Sequence, residues 1–141
     1  MSKTEESDRR TGDSNVETQE MQMRYMVFVK MAQDVGEAPP ALFEAMDAEM
    51  GQAFADGSMI LAGGLGGGEQ IVELRLADGA ITTTDGPYAE AKEIVGGFSI
   101  VEARTQDEAV EGARRVLELH QQHWPGWKGA VEIRPIWGPD R

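Results

Sequence analysis

The sequence predicts an α+β domain in which two helices pack on one face of an antiparallel sheet. Two segments carry apolar residues at three- and four-residue steps, which is typical of amphipathic helices. The segments around them are rich in alternating or continuous apolar residues, which indicates strands, and Asp78-Gly79 joins two of these strands as a hairpin turn. The length of 141 residues favours a single domain.

The first half of the chain is predicted to hold a strand, a helix and a second strand. Residues 24–31 are nearly all apolar, as expected for a strand that is covered on both faces. Residues 41–56 form the helix, and Gly57 follows it where a C-terminal cap glycine is common. Residues 58–64 return as a strand. The apolar stripe of the helix consists of Leu42, Phe43, Met46, Met50, Ala53 and Phe54.

A hairpin is predicted in the middle of the chain. Residues 71–76 alternate between apolar and charged side chains, and residues 80–84 return after the Asp78-Gly79 turn. The glycine-rich connection at residues 65–68 lacks the Lys-Ser/Thr ending of a phosphate-binding loop. We therefore predict that it is a plain connection.

The last third is predicted to hold a strand, a helix and a final strand. The paired glycines that open strand 96–102 indicate a bulge or a close approach of another backbone or of a ligand. Thr105 and Glu108 form a capping box for a helix that runs to about residue 121, and residues 129–136 are the final strand. The predicted order is β-α-β-β-β-α-β, with the third and fourth strands as one hairpin. The apolar face of the second helix carries Ala109, Ala113, Val116, Leu117 and His120.

One segment carries the most specific pattern of the sequence. Asp85-Gly86-Pro87-Tyr88-Ala89-Glu90-Ala91-Lys92-Glu93 resembles the Asp-Gly-Pro-Phe-Ala-Glu-Thr-Lys-Glu signature of the YCII-related family, in its DGPF subgroup, and matches seven of the nine positions. Tyr88 stands where Phe is usual and Ala91 where Thr is usual. The resemblance covers about residues 23–136. It extends to Arg24-Tyr25-Met26, Ala62-Gly63-Gly64-Leu65 and Gly96-Gly97-Phe98.

The resemblance implies a ferredoxin-like fold that dimerises into an α/β barrel. A homodimer is also expected on physical grounds, because the predicted strands are too apolar to leave the second sheet face in water. The activity of the family is largely unassigned, so two functions stay open. One is a small dimeric protein that binds a small organic ligand, with enzyme-like acid–base chemistry. The other is a non-catalytic accessory or regulatory protein, since DGPF members often resemble partners of extracytoplasmic-function sigma factors by gene neighbourhood.

The candidate functional residues lie in and around the signature. Asp85 ends a strand in a constrained turn, where a carboxylate can act as a general base or simply cap its own loop as an Asx-turn. Glu90, Lys92 and Glu93 could orient a polar ligand or form a solvated ion-pair surface. Tyr25 could point into the cleft between two sheets, where its hydroxyl group would need a buried partner such as Asp85 or Arg134. The predicted ligand-binding set is Tyr25, Tyr88, Glu90, Lys92 and Arg134.

The two histidines raise a second possibility. His120 and His123 are three residues apart on a predicted helix, so they share one side and could bind a transition metal. No further ligands are evident, and His120 continues an apolar stripe, so we predict no metal and no cofactor. Some members of the wider family have been suggested to use a His–Asp pair, but the first strand and helix of this chain contain no histidine.

Composition bounds the remaining function classes. The formal net charge is −12, and an acidic chain repels phosphate backbones, so we expect no direct nucleic-acid partner. No apolar run approaches the roughly 20 residues of a membrane span, and the absence of cysteine fits a cytoplasmic protein. Residues 1–22 are almost entirely polar and are expected to be a disordered tail. Residues 23–137 form the predicted domain, and residues 138–141 a short C-terminal tail.

Overall fold

The computed structural model describes residues 22–86 and 93–138. The predicted terminal tails therefore fall almost entirely outside the described residues. The described residues form two helices and six strands, with one 3-10 turn at Gly68–Gln70. Every segment predicted as a helix or a strand is present, so the predicted order β-α-β-β-β-α-β is one strand short. Their bounds are β1 Met23–Ala32, α1 Pro40–Ala55, β2 Met59–Gly64, β3 Val72–Ala77, β4 Ala80–Asp85, β5 Glu93–Ala103, α2 Gln106–His123 and β6 Gly129–Pro135.

Four of the strands form one antiparallel sheet in the order β2-β5-β1-β6. The other two, β3 and β4, pair only with each other and form a separate two-stranded hairpin. The predicted α+β class with antiparallel pairing is confirmed, and the strand order is compatible with a ferredoxin-like fold.

The two faces of the four-stranded sheet differ in what covers them. Residues that stand opposite each other on neighbouring strands share a face. Tyr25 and Val27 are buried, and their partners Val101 and Ile133 lie with them on the side covered by α1 and α2, the helix face. The alternate residues form the open face, over which neither helix lies. Its apolar members on β1 and β5 are Met26, Phe28, Phe98 and Ile100.

The last turn of α1 and the first turn of α2 are capped by the residues that the sequence predicts. Gly57 follows α1 with φ +86°, a left-handed conformation that glycine adopts without strain. Before α2, the Thr105 hydroxyl oxygen accepts from the Glu108 backbone N–H at 3.2 Å. The Glu108 carboxylate accepts in return from the backbone N–H of Arg104 at 2.9 Å, one residue before the cap. In the described part of the chain, no helix is both long and apolar enough to cross a membrane.

The apolar stripe of α1 is narrower than predicted. Leu42 is buried, but Phe43 is 60% exposed and Phe54 is 46% exposed. Each phenylalanine directly follows a residue that faces inward, and one residue along a helix turns the side chain by about 100°. The larger apolar residues of the inward face are therefore Leu42, Met46 and Met50, together with the small Ala53.

The predicted irregularity at the glycine pair is confirmed. Gly97 pairs with Val29 and Val95 pairs with Lys30, so Gly96 is the extra residue of a bulge. Its carbonyl oxygen accepts from the Leu65 backbone N–H at 3.1 Å. Strand β5 begins at Glu93, three residues earlier than predicted. Its first residue is therefore the last residue of the signature.

Candidate functional site

The signature loop leaves the hairpin at Asp85. Asp85 is the last residue of β4 and stands opposite Val72. Gly86 follows with φ +90° and donates its N–H to the Ile71 carbonyl oxygen at 2.8 Å, which closes the base of the hairpin. The Asp85 side chain is exposed and makes no hydrogen bond or ion pair with residues 22–86 or 93–138. Its predicted role as a base or as a loop cap stays a prediction.

Three of the predicted ligand-binding residues, Tyr88, Glu90 and Lys92, lie outside the described residues, in the segment 87–92. The position of the loop's end is known, because Glu93 pairs with Ala32 at the end of β1. The chain therefore enters the four-stranded sheet at this end of the central strands β1 and β5.

Tyr25 and Arg134 lie on opposite faces of the sheet. Tyr25 is buried on the helix face, where it packs with Ala103 and Ala109. Arg134 stands opposite Met26 on the open face and is exposed. This corrects the expectation that Tyr25 points into a cleft between sheets, with Arg134 as a partner of its hydroxyl group.

The open face has an apolar centre and a charged margin. Phe28 and Phe98 stand directly opposite each other and are both partly buried, while Leu61 on β2 is 50% exposed. Arg24 and Glu102 form an ion pair at 3.2 Å near one end. Arg134 forms no ion pair within the described part of the chain. The face combines apolar surface with charges of both signs.

The sequence analysis missed a second ion pair on this face. Lys30 Nζ lies 3.6 Å from Glu132 Oε1. Lys30 stands opposite Val95, two residues from Glu93, so the pair lies near the end of the sheet where the signature loop enters. The available signal was Lys30, the one charged residue among residues 25–32, but only the pairing of β1 with β6 brings Glu132 to it.

The hairpin presents an apolar face of its own. Cross-strand pairing puts Val72, Leu74, Leu76 and Ile81 on the same side as Asp85. All four apolar side chains are more than half exposed. A two-stranded hairpin in water is only marginally stable, and such a patch is typical of a surface that another surface covers.

The histidines do not form a metal site with other described residues. His120 is 5% exposed, and its Nδ1 lies 2.8 Å from the Val116 carbonyl oxygen. The ring packs with Trp124 and Trp127, which also contact each other, so the three rings form one aromatic cluster. Residues 22–86 and 93–138 contain no group of three or more His, Cys, Asp or Glu side chains that could hold a metal ion.

Comparison with known proteins identifies the family. No curated protein matches the sequence. The sequence profile of the YCII-related domain matches residues 23–137, which is most of the chain and includes every helix and strand described above. The chain therefore belongs to the YCII-related family.

Proposed function

We propose that the protein is a homodimer of the DGPF subgroup that binds a small organic ligand in a cleft beside the Asp85-Gly86-Pro87-Tyr88 loop. The observation that carries the proposal is the open face of the four-stranded sheet. That face is apolar at Phe28 and Phe98, is charged at its margin, and has neither helix above it. The subgroup assignment rests on the seven matching signature positions.

A second copy of the chain is the expected cover for the open face. The solvated face of an antiparallel sheet is normally polar, whereas this one carries aromatic and aliphatic side chains at its centre. A two-fold interface brings the same patch of each copy together and so must be self-complementary. The margin meets this condition because it offers cations, such as Arg24 and Lys30, together with carboxylates, such as Glu102 and Glu132.

The ligand cleft would lie at the end of the open face near Lys30 and Glu132. The signature loop enters the sheet there, through the pairing of Glu93 with Ala32. The Lys30 ammonium group and the Glu132 carboxylate supply one charge of each sign beside apolar surface. Small-molecule sites typically combine an apolar lining with a few such polar groups.

Asp85 is the proposed acid–base or anchoring residue. It shares the apolar side of the hairpin with Val72 and Leu74. When a partner surface covers that side, the carboxylate leaves bulk water and can accept a proton or a hydrogen bond from a ligand bound beside it. The proton would pass from an acidic group of the ligand to the Asp85 carboxylate.

A thermal-shift screen tests this proposal. Small organic metabolites are tested on the wild type, Asp85→Asn, Lys30→Met and the control Asp47→Asn, which changes an exposed carboxylate on α1. We expect a ligand to raise the melting temperature of the wild type and of Asp47→Asn, but not of Asp85→Asn or Lys30→Met. A shift that persists in both site variants would show that the ligand binds elsewhere.

The oligomeric state is measured on the same samples. Sedimentation should show a dimer for the wild type and for Phe43→Lys, which changes an exposed side chain on α1. Leu61→Lys, on the open face, should weaken the dimer. A monomeric wild type would overturn the proposal that the protein is a homodimer. A stable dimer that binds no compound would favour the accessory or regulatory function linked to an extracytoplasmic-function sigma factor.

A further inference from the structure

A cavity of ≈280 Å³ lies on the other side of the sheet, between the two helices and the helix face. It does not share the open face, so it is separate from the cleft of the proposed function. Polar and charged residues, including Glu49, Gln52, Asp56 and Ser58, complete its lining. Its main apolar lining residues are Val27, Met46, Met50, Met59, Val101 and Val116.

The helices leave this space because their facing residues are small at one end. Leu42 at the start of α1 packs with Leu119 near the end of α2, so the helices run antiparallel. Toward the opposite end, the cavity is lined by Ala53 of α1 and by Ala109, Gly112 and Ala113 of α2. Alanine has only a methyl group and glycine only a hydrogen atom, so these residues cannot fill the space between a helix pair and a sheet.

The volume is large for a packing defect. A water molecule occupies about 30 Å³, and an apolar cavity of about 150 Å³ is enough to bind benzene. A cavity of ≈280 Å³ is close to the lower limit of about 300 Å³ for small-molecule sites. Met46, Met50 and Met59 add adaptability, since an unbranched thioether side chain can change shape around a ligand.

The polar lining selects against anions. The lining includes the acidic residues Glu49, Asp56, Glu102 and Glu108, whereas no lysine or arginine of the described residues lines the cavity. Arg115 is nearby, but it is already paired with Glu49 at 3.2 Å and with Glu118 at 3.6 Å. A ligand with a negative charge would therefore face repulsion without a free cation to compensate.

We propose that this cavity binds a small apolar molecule, neutral or carrying a protonated amine, of about the size of a bicyclic aromatic compound. Its ring system would lie among the methionine and valine side chains, and its polar group would face the carboxylates and the Ser58 hydroxyl group. This binding site is independent of the signature loop and of dimer formation.

A cavity-filling variant provides the main test. A Cβ atom placed on Gly112 meets no atom within 4 Å, so Gly112→Phe can project a ring into the cavity. Gly51→Phe is the matched control, because Gly51 lies on α1, also meets no atom within 4 Å and does not line the cavity. Binding of 1-naphthalenemethanol, 1-naphthylmethylamine and 1-naphthoate is measured by calorimetry on the full chain.

We expect the alcohol and the amine to bind the wild type and Gly51→Phe, and to bind Gly112→Phe at least about tenfold more weakly. Naphthoate should bind the wild type at least about tenfold more weakly than the amine. Equal binding to Gly112→Phe, or no binding of any probe to the wild type, would overturn the proposal. Preferred binding of naphthoate would overturn the assigned ligand class.

Methyl NMR of the methionines gives a second measurement that does not depend on a variant. The probe should shift the methyl signals of Met46, Met50 and Met59, which line the cavity, and leave Met26 on the open face unchanged. Shifts centred on Met26 would place the probe in the cleft of the proposed function and overturn this inference alone.

Discussion

The imidazole ring of His120 packs against the indole ring of Trp127, with 4.5 Å between the ring centroids. Trp124 lies nearly parallel to the imidazole ring with its centroid at 6.2 Å, and the Nδ1 atom lies 2.8 Å from the Val116 carbonyl oxygen. His120 is thus part of the core where α2 meets the segment that leads into β6. The burial and the hydrogen bond of this ring are explained by its contribution to the stability of the fold, and neither requires a bound metal.

Replacing His120 should therefore destabilise the protein. His120→Ala removes a buried ring and is expected to lower the free energy of unfolding by about 2–4 kcal/mol in urea titrations. His123→Ala, at a partly exposed position three residues later, should cost less than about 1 kcal/mol. If zinc raises the melting temperature of the wild type but not of either variant, the two histidines form a metal site. A role in core packing alone would then not account for His120.

Features that depend on neighbouring residues were predictable from the sequence. The turn at Asp78 and Gly79 shows positive φ at both positions, as the Asp-Gly pair predicts. The bulge at Gly96 and the cap at Thr105 also follow from local chemistry. In each case the residue type itself decides the backbone conformation or supplies the capping atom.

Features that depend on strand pairing were not predictable in the same way. Residues 24–31 are apolar on both faces, so alternation could not show that Tyr25 faces the helices. The Lys30–Glu132 ion pair joins residues that are far apart in the sequence, and only the register of β1 with β6 brings them together. The cavity arises likewise from the sizes of residues on two different helices.

The turn after α1 predicts a pH-dependent contribution to stability. Hydrogen bonds from the Ser58 hydroxyl group and from its backbone N–H hold the pKa of Asp56 below its usual value of 3.8. A carboxyl group with a lowered pKa in the folded state contributes stability above pH 3.8, and that stability is lost as the pH falls through the folded-state pKa. Asp56→Asn should therefore be less stable than the wild type at neutral pH, and the difference should shrink in acid.

Urea titrations across the acidic range check this expectation. Ser58→Ala removes the hydroxyl donor and should reduce the same pH-dependent difference only in part, because the backbone N–H of Ser58 still lies 2.8 Å from Asp56 Oδ1. Asp47→Asn, at an exposed position of α1, serves as the control. A gap between wild type and Asp56→Asn that stays constant with pH would contradict the role of the charged carboxylate.

The hairpin provides a prediction about the assembly. Leu74 and Leu76 lie on its apolar side and are 68% and 70% exposed in the single chain. If a second copy covers this side, Leu74→Lys should raise the dimer dissociation constant at least about tenfold, because a charge replaces a buried apolar side chain. Sedimentation equilibrium measures the constant directly.

A matched change on the other side of the same hairpin is the control. Thr82 pairs with Arg75 on the polar side, so Thr82→Lys adds the same charge to the same element without touching the apolar face. We expect it to leave the dissociation constant within about threefold of the wild type. Equal effects of the two lysines would show that the apolar side of the hairpin is not part of the interface.

Two glycines of the sheet should respond differently to the same substitution. A Cβ atom on Gly129 would overlap the backbone carbonyl oxygen of Lys30 and lie 2.5 Å from the ring of Trp127. A Cβ atom on Gly96 would instead lie 2.5 Å from Cε of Met31, the movable end of a flexible side chain. Gly129→Ala is expected to lower the free energy of unfolding by about 2–3 kcal/mol, and Gly96→Ala by about 1 kcal/mol or less.

The relative stabilities of Gly129→Ala and Gly96→Ala show how tightly β6 is held against β1. A backbone carbonyl cannot move without disturbing the pairing of β1 with β6, and this pairing also brings Glu132 to Lys30. Urea unfolding of the two variants gives the free energies, and the thermal-shift response to any ligand of the open face shows whether Lys30 has moved. A cost at Gly129 no larger than at Gly96 would mean that β6 can shift away from β1, and the Lys30–Glu132 pair would then be too loosely held to position a ligand.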